Sequence, residues 1–138
     1  MADIVRRVEY YYTVVPHRTG GGAKVFKALK AEGVNLVALN GFPISVRRAQ
    51  LDFVPSSQKA FLEAAKKARI KLVGPRVALL IQGEDRVGAV ADILSKLGRA
   101  RINVTAMQAI ASGGGRYGAI LWVKPRNIGK AAQVLGAS

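Results

Sequence analysis

The sequence predicts an α+β fold built from two tandem copies of one small module, and three observations carry that expectation. An internal repeat recurs at an offset of 68 residues, each copy alternates strand-like with helix-like runs, and those runs follow the order βαββα in both copies. The repeat is clearest in a helical stripe. Gly22, Val25, Phe26 and Leu29 have the i, i+3, i+4, i+7 spacing of a buried helix face, and Val90, Ile93, Leu94 and Leu97 repeat it. Its flanks repeat as well: Arg18-Thr19-Gly20 matches Arg86-Val87-Gly88, and Val34-Asn35-Leu36 matches Ile102-Asn103-Val104.

Taken in order, Glu9 to Val15 and Val77 to Gln82 are β-branched, aromatic or aliphatic runs of strand length, so they are first strands. The helical stripe follows each. Asn35 to Leu39 and Asn103 to Ile110 then read as second strands, closed by a turn at Asn40-Gly41-Phe42-Pro43 with a ragged stretch to Arg48 in one copy and by Ser112-Gly113-Gly114-Gly115 in the other. Third strands follow at Ala49 to Val54 and Tyr117 to Val123. Pro55-Ser56-Ser57 starts a second helix with a serine cap, and Pro125-Arg126-Asn127 plays that part before Ile128 to Leu135. A last strand, Ile70 to Val73, ends the first copy before Gly74-Pro75 marks a boundary, giving modules 1–74 and 75–138. The same offset would place the counterpart of that strand beyond Ser138. The second module is therefore expected to lack its last strand, leaving the apolar edge of Val77 to Gln82 to be covered by the N-terminal segment, the other module or another subunit.

Half of the residues are hydrophobic and 22% are charged, the profile of a chain that folds. No apolar run is long enough to span a bilayer, and the start lacks the charge-then-apolar order of a signal peptide, so a cytoplasmic protein with no membrane partner is expected. The absence of cysteine excludes disulfides, thiolate metal sites and cysteine nucleophiles. Lysine and arginine number 22 against 8 acidic residues, a formal charge of +14. The basic residues are dispersed, with local groups at Lys24, Lys27 and Lys30 and at Lys66, Lys67, Arg69 and Lys71, which is the pattern of solvated helix faces.

The stretch from Gly83 through Asp85-Arg86-Val87-Gly88-Ala89 to Leu94, followed by Arg101-Ile102-Asn103-Val104, resembles the ACT domain, whose signature is an Asp-x-x-Gly turn, an aliphatic helix and an Asn-like residue opening the second strand. His17-Arg18-Thr19-Gly20 with Gly33-Val34-Asn35 follows the same pattern less closely. The resemblance implies two ferredoxin-like βαββαβ modules with antiparallel sheets and helices on one face. It also implies a non-enzymatic regulatory protein that binds a small effector, an amino acid, at an interface between paired modules. The candidate ligand-binding residues are Asp85, Arg86, Val87, Gly88, Ala89 and Asn103, with His17, Arg18, Gly20 and Asn35 in the weaker copy. A glycine at the strand-to-helix turn admits a close ligand, first-turn amides suit a carboxylate, and the asparagines would complete a clamp. A homodimer is expected, because both modules carry more apolar surface than 138 residues readily enclose, and a separate regulated enzyme is a candidate partner.

Each of these residues also has a plain structural role open to it: Asp85 at a helix start, Gly88 in close packing, Asn103 in a turn. His17 is the single histidine and lacks partners for acid–base or metal chemistry, and no metal or other cofactor is expected. Gly20-Gly21-Gly22-Ala23-Lys24 lacks the spacing of a phosphate-binding loop. The alternative is a basic nucleic-acid-binding protein of the same scaffold, in which Tyr10 and Tyr12 on one strand face would stack bases. Against it, Arg116 to Val123 lacks the aromatic order of an RNA-recognition strand.

Overall fold

In a computed structural model, which describes residues 3–138, the chain folds in the order β1 (Ile4–Pro16), α1 (Gly21–Ala31), β2 (Leu36–Pro43), β3 (Arg48–Pro55), α2 (Gln58–Lys67), β4 (Val73–Glu84), α3 (Ala89–Arg99), β5 (Val104–Ala111), β6 (Arg116–Val123) and α4 (Ile128–Leu135), with a 3-10 turn at Pro125–Asn127 before α4. It divides into two compact units. One is Glu9–Arg76; the other joins Val77–Ser138 to the residues up to Val8. The described residues up to Val8 thus group with Val77–Ser138.

In the unit Glu9–Arg76, β1 pairs antiparallel with β3, Tyr11 opposite Phe53, and β3 pairs antiparallel with β2. Alternate residues of a strand face one side, so Tyr11 and Val15 point with Leu51 and Phe53 into a core that α1 and α2 close with Leu29, Phe61 and Ala64. Phe53 stands 5.6 Å from Phe26 and 5.4 Å from Phe61, centroid to centroid, in tilted ring pairs. Ser57 caps α2, its Oγ accepting from the amide of Ala60 at 3.2 Å.

In the other unit, β6 lies antiparallel between β4 and β5. Its core joins Leu79, Ile81 and Leu121 from the strands to Ile93, Leu97, Ala131 and Ala132 from the helices. The three glycines after β5 take φ of 102°, 69° and 72°, the left-handed backbone the expected hairpin turn requires.

The repeat persists in the backbone detail. The β2–β3 ladder shifts register between Leu36 and Ala38, and the β5–β6 ladder between Val104 and Ala106, 68 residues on (36 + 68 = 104). Gly33 and Arg101, one offset apart, both take left-handed backbone after the first helix of their unit, with φ of 70° and 60°.

Two local expectations are corrected. Asn40-Gly41-Phe42-Pro43 belongs to β2, paired as far as Pro43 opposite Ala49, and the turn lies at residues 44–47, where Ser45 Oγ accepts from the amides of Arg47 and Arg48. Gly41 serves close packing there, since a Cβ would stand 3.1 Å from Leu51 Cδ2, and proline is tolerated because β2 is an edge strand. Likewise Ile70 to Val73 is not a separate strand. Residues 70–72 are irregular, and Val73 opens β4, which runs unbroken through Gly74-Pro75 to Glu84.

The edge of Val77 to Gln82 is covered by the N-terminal segment, since β1 is the hydrogen-bonded neighbour of β4 on the side away from β6. Val5 enters the core of that unit, and Ser138 exchanges backbone bonds with it: the Arg7 amide donates to Ser138 O at 3.3 Å and the Ser138 amide to Val5 O at 3.1 Å. The first half of β1 thus occupies the edge of β4 in this unit.

Candidate functional site

The turn between β4 and α3 is held from both sides. The Asp85 amide donates to Gly115 O at 2.9 Å, tying it to the β5–β6 hairpin, and the Asp92 amide donates to Gly88 O at 3.0 Å, starting the helix. Gly88 is the N-cap with φ of 84°, left-handed backbone that a side chain rarely adopts, while a Cβ built on it meets nothing within 4 Å. The requirement for glycine here is conformational and leaves open space beside α3's first turn, whose amides have no partner within the helix. Beside that space lies a cavity of about 280 Å³, lined by Asp85, Arg86, Gly88, Ala89, Val90 and the end of β5 at Ala109 to Ala111. Val87 is fully exposed at the tip of the turn, whereas Ala89 is buried in the core.

Arg86 is held by an internal carboxylate. Its Nη1 donates to Asp3 Oδ1 at 3.0 Å and to Glu84 O at 3.2 Å, and its Nη2 donates to Asp3 Oδ2 at 3.3 Å and to Asp92 Oδ2 at 3.5 Å. The Tyr117 hydroxyl donates to the same carboxylate at 2.9 Å. These bonds, led by that of Arg86, outweigh burial and hold the Asp3 carboxyl below its ordinary range. Burial and the bond to Asp3 push the Tyr117 hydroxyl up to about 12. Gly83 makes room, for a Cβ there would stand 2.0 Å from Asp3 Oδ1. Asp3, Gly83, Asp92 and Tyr117 were not singled out in the sequence; Asp3 and Arg86 are 83 residues apart, and no local pattern links them.

The equivalent turn in Glu9–Arg76 is built alike. The His17 amide donates to Arg47 O at 2.8 Å, the counterpart, one repeat offset away at both ends, of the Asp85–Gly115 bond. Gly20, with φ of 79°, is the N-cap of α1, as Gly88 is of α3. Gly21 is forced by crowding, since a Cβ would lie 2.3 Å from Pro16 O. His17 and Arg18 are exposed.

The structure separates the asparagines from these turns within each unit. Asn103 lies four residues beyond Arg99, the last of α3, and Gly88 precedes its first; the 11-residue helix between them is ~16 Å long, too far for one small ligand to touch both in the same unit. Asn35 stands likewise at the far end of α1. Its Nδ2 donates to Ser56 Oγ at 3.4 Å and its carbonyl accepts from the Ser56 amide at 3.0 Å, so it fastens two loops together. Instead of Asn103, the end of β5 faces the turn.

The aromatic pair proposed for base stacking is covered on one side. The guanidinium of Arg76 lies over the Tyr12 ring at 5.1 Å, and Tyr10 and Tyr12 are both half-buried. Among the described residues no group of three or more His, Cys, Asp or Glu side chains is placed to hold a metal ion, and no helix is long and apolar enough to cross a membrane.

Comparison with known proteins agrees with this architecture. A search of curated proteins by sequence finds no match. Among solved structures, a Bacteroides thetaiotaomicron protein superposes with a TM-score of 0.81 at 19% identity, over 97% of this chain and 88% of that one. The regulatory subunit of aspartate kinase from Thermus thermophilus gives 0.65 at 19% identity, over 99% and 95%. That from Thermus flavus gives 0.62 at 18%, over 99% and 95%. At such identities the likeness speaks for the fold. The ACT domain family model matches residues 77–137, the stretch that carries the Asp85-to-Gly88 turn, α3 and the β5–β6 hairpin.

Proposed function

We propose that the protein is a non-enzymatic regulator that binds a small amino acid at the turn Asp85 to Ala89, and that the bound effector alters its association with an enzyme. One observation carries the reading: the left-handed Gly88 leaves a cavity of about 280 Å³ open beside the first turn of α3, where the Val90 and Ala91 amides have no partner within the helix, with small side chains around it. An α-carboxylate suits those amides and the positive end of the helix. Asp85, exposed at the same turn, suits the ammonium. Arg86 supports the turn through Asp3 and does not take the effector itself. The small lining at Ala89 and at Ala109 to Ala111 favours a short side chain on the ligand.

The opposite wall is supplied by a second subunit in a homodimer, where Asn103 of the partner is the residue that completes the site. The Thermus proteins named as regulatory subunits of aspartate kinase support a regulated enzyme as the kind of partner. The first module, with His17, Arg18 and Gly20 at its own turn, offers a second, more open position for the same chemistry.

The test is a thermal-shift screen over the twenty amino acids, with nucleotides and short RNA as controls, followed by calorimetry on any hit. A specific effector at a hundredfold excess over its dissociation constant raises apparent stability by about 2.7 kcal/mol. Gly88→Val, which forces a β-branched residue into φ of 84°, is expected to abolish binding while the circular dichroism spectrum is retained. Binding of unchanged affinity in that variant would remove the turn as the site. A shift produced only by RNA and lost with salt would point to polyanion binding instead.

A further inference from the structure

The two basic groups noted in the sequence lie far apart along the chain, yet the fold brings them to one place. In the unit Glu9–Arg76, Lys24 from α1 meets Arg69 and Lys71 from the segment after α2 around a cavity of about 350 Å³. Val25 and Ile70 give it an apolar side, and no acidic residue lines it. It is distinct from the turn at Gly20 and has no part in the reading of the ACT domain.

Beneath it lies Thr13. The strand alternates Tyr11, Thr13 and Val15 on its helix side, and the first and last of these are core residues. Thr13 is only 5% exposed and lines the cavity, so its hydroxyl belongs to the cavity wall. Where a valine would fill the same space, threonine gives the cavity a donor and acceptor that a ligand can bond. Three cations, a buried hydroxyl and an apolar wall together suit one kind of ligand.

We infer that this cavity is a second ligand site, for a small organic anion: a carboxylate or phosphate head held by Lys24, Arg69 and Lys71, hydrogen-bonded to Thr13, with a short apolar body against Val25 and Ile70. Its size falls in the range of small-molecule sites. The excess of positive charge in this chain thus has a local use here, where no carboxylate of the protein competes for the cations.

The experiment is an amide NMR titration of the whole chain at fixed ionic strength with butyrate, butyl phosphate and inorganic phosphate. Saturable shifts are expected at residues 13–15, 24–28 and 68–71 with at least one organic probe, and butyrate against butyl phosphate decides which head the site prefers. Thr13→Val, which keeps shape, should weaken binding several-fold, and Lys71→Gln about tenfold. Arg69→Gly should also weaken it about tenfold while keeping the fold, because Arg69 holds φ of 58° and glycine adopts that backbone freely. Lys130→Gln, outside the cavity, serves as the charge-matched control. The inference fails if no probe saturates, if the shifts map elsewhere, or if the control weakens binding as much as the cavity variants do.

Discussion

Replacing Asp3 by asparagine tests whether the segment before β1 is fastened to the β4–α3 turn by charge. The carboxylate accepts from Arg86 at 3.0 and 3.3 Å and from Tyr117 at 2.9 Å, and its side chain is 12% exposed. Asparagine keeps the shape, removes the charge and turns one acceptor into a donor that faces other donors. Hydrogen bonds to charged groups contribute ~1.5–3 kcal/mol. Because the Arg86 side chain is 32% exposed, water screens the pair and the lower end applies, about 1.5 kcal/mol. For a chain of this length that lowers the melting temperature by about 6 °C. The pH dependence adds a second readout. The native Asp3 carboxyl lies below its ordinary 3.8, so its stabilisation is complete above that value and is lost as the pH falls through the lowered native value. Urea midpoints of the two proteins should therefore differ at neutral pH and converge in acid. Tyr117 titrates the other way: its native value is pushed up to about 12 from 10.0, so its contribution holds below pH 10 and fades as the pH rises through 12. Followed by tyrosinate absorbance, Tyr117 should titrate lower in the variant, although burial keeps part of the rise. A midpoint difference that is absent, or equal at neutral and acid pH, would refute an ionic fastening.

Two further substitutions probe the backbone. Gly83→Ala places a Cβ where Asp3 Oδ1 lies, so it should displace the carboxylate, destabilise by ~1–3 kcal/mol and show little additional loss when combined with Asp3→Asn, as urea melts of the double-mutant cycle would reveal. Arg101→Gly relieves left-handed backbone at φ of 60°, a position that glycine fills in the other unit at Gly33, and should leave the melting temperature unchanged or raise stability by up to ~1 kcal/mol.

The partnership of α3 with β5 explains why the turn was legible while the clamp was not. Asp85 to Gly88 is a local feature: a polar turn, a glycine and an amphipathic helix follow one another, and short-range stereochemistry sets what they form. Asn103 is near Gly88 in sequence, only fifteen residues on, but the intervening helix is rigid and carries it to the opposite end of the module. Family pattern supplied both residues, and only the helix length shows that they stand at opposite ends of α3 within one unit.

What the sequence by itself determined is the repeat and its contents: two helices and three strands per copy, the apolar stripes of α1 and α3, the serine cap of α2 and the glycine hairpin between β5 and β6. These follow from periodicity and from residues whose backbone preferences act over a few positions. The tertiary structure alone decided which segment completes the second module, how Asp3 reaches Arg86, and that Lys24 meets Arg69 and Lys71. The physical reason is the same in each case. Hydrophobic burial is non-directional and leaves an apolar strand edge indifferent to which segment covers it, so the choice is made by the folded geometry, where the segment from Asp3 to Val8 finds β4, the Ser138 backbone and, through Asp3, the Arg86 guanidinium all in reach.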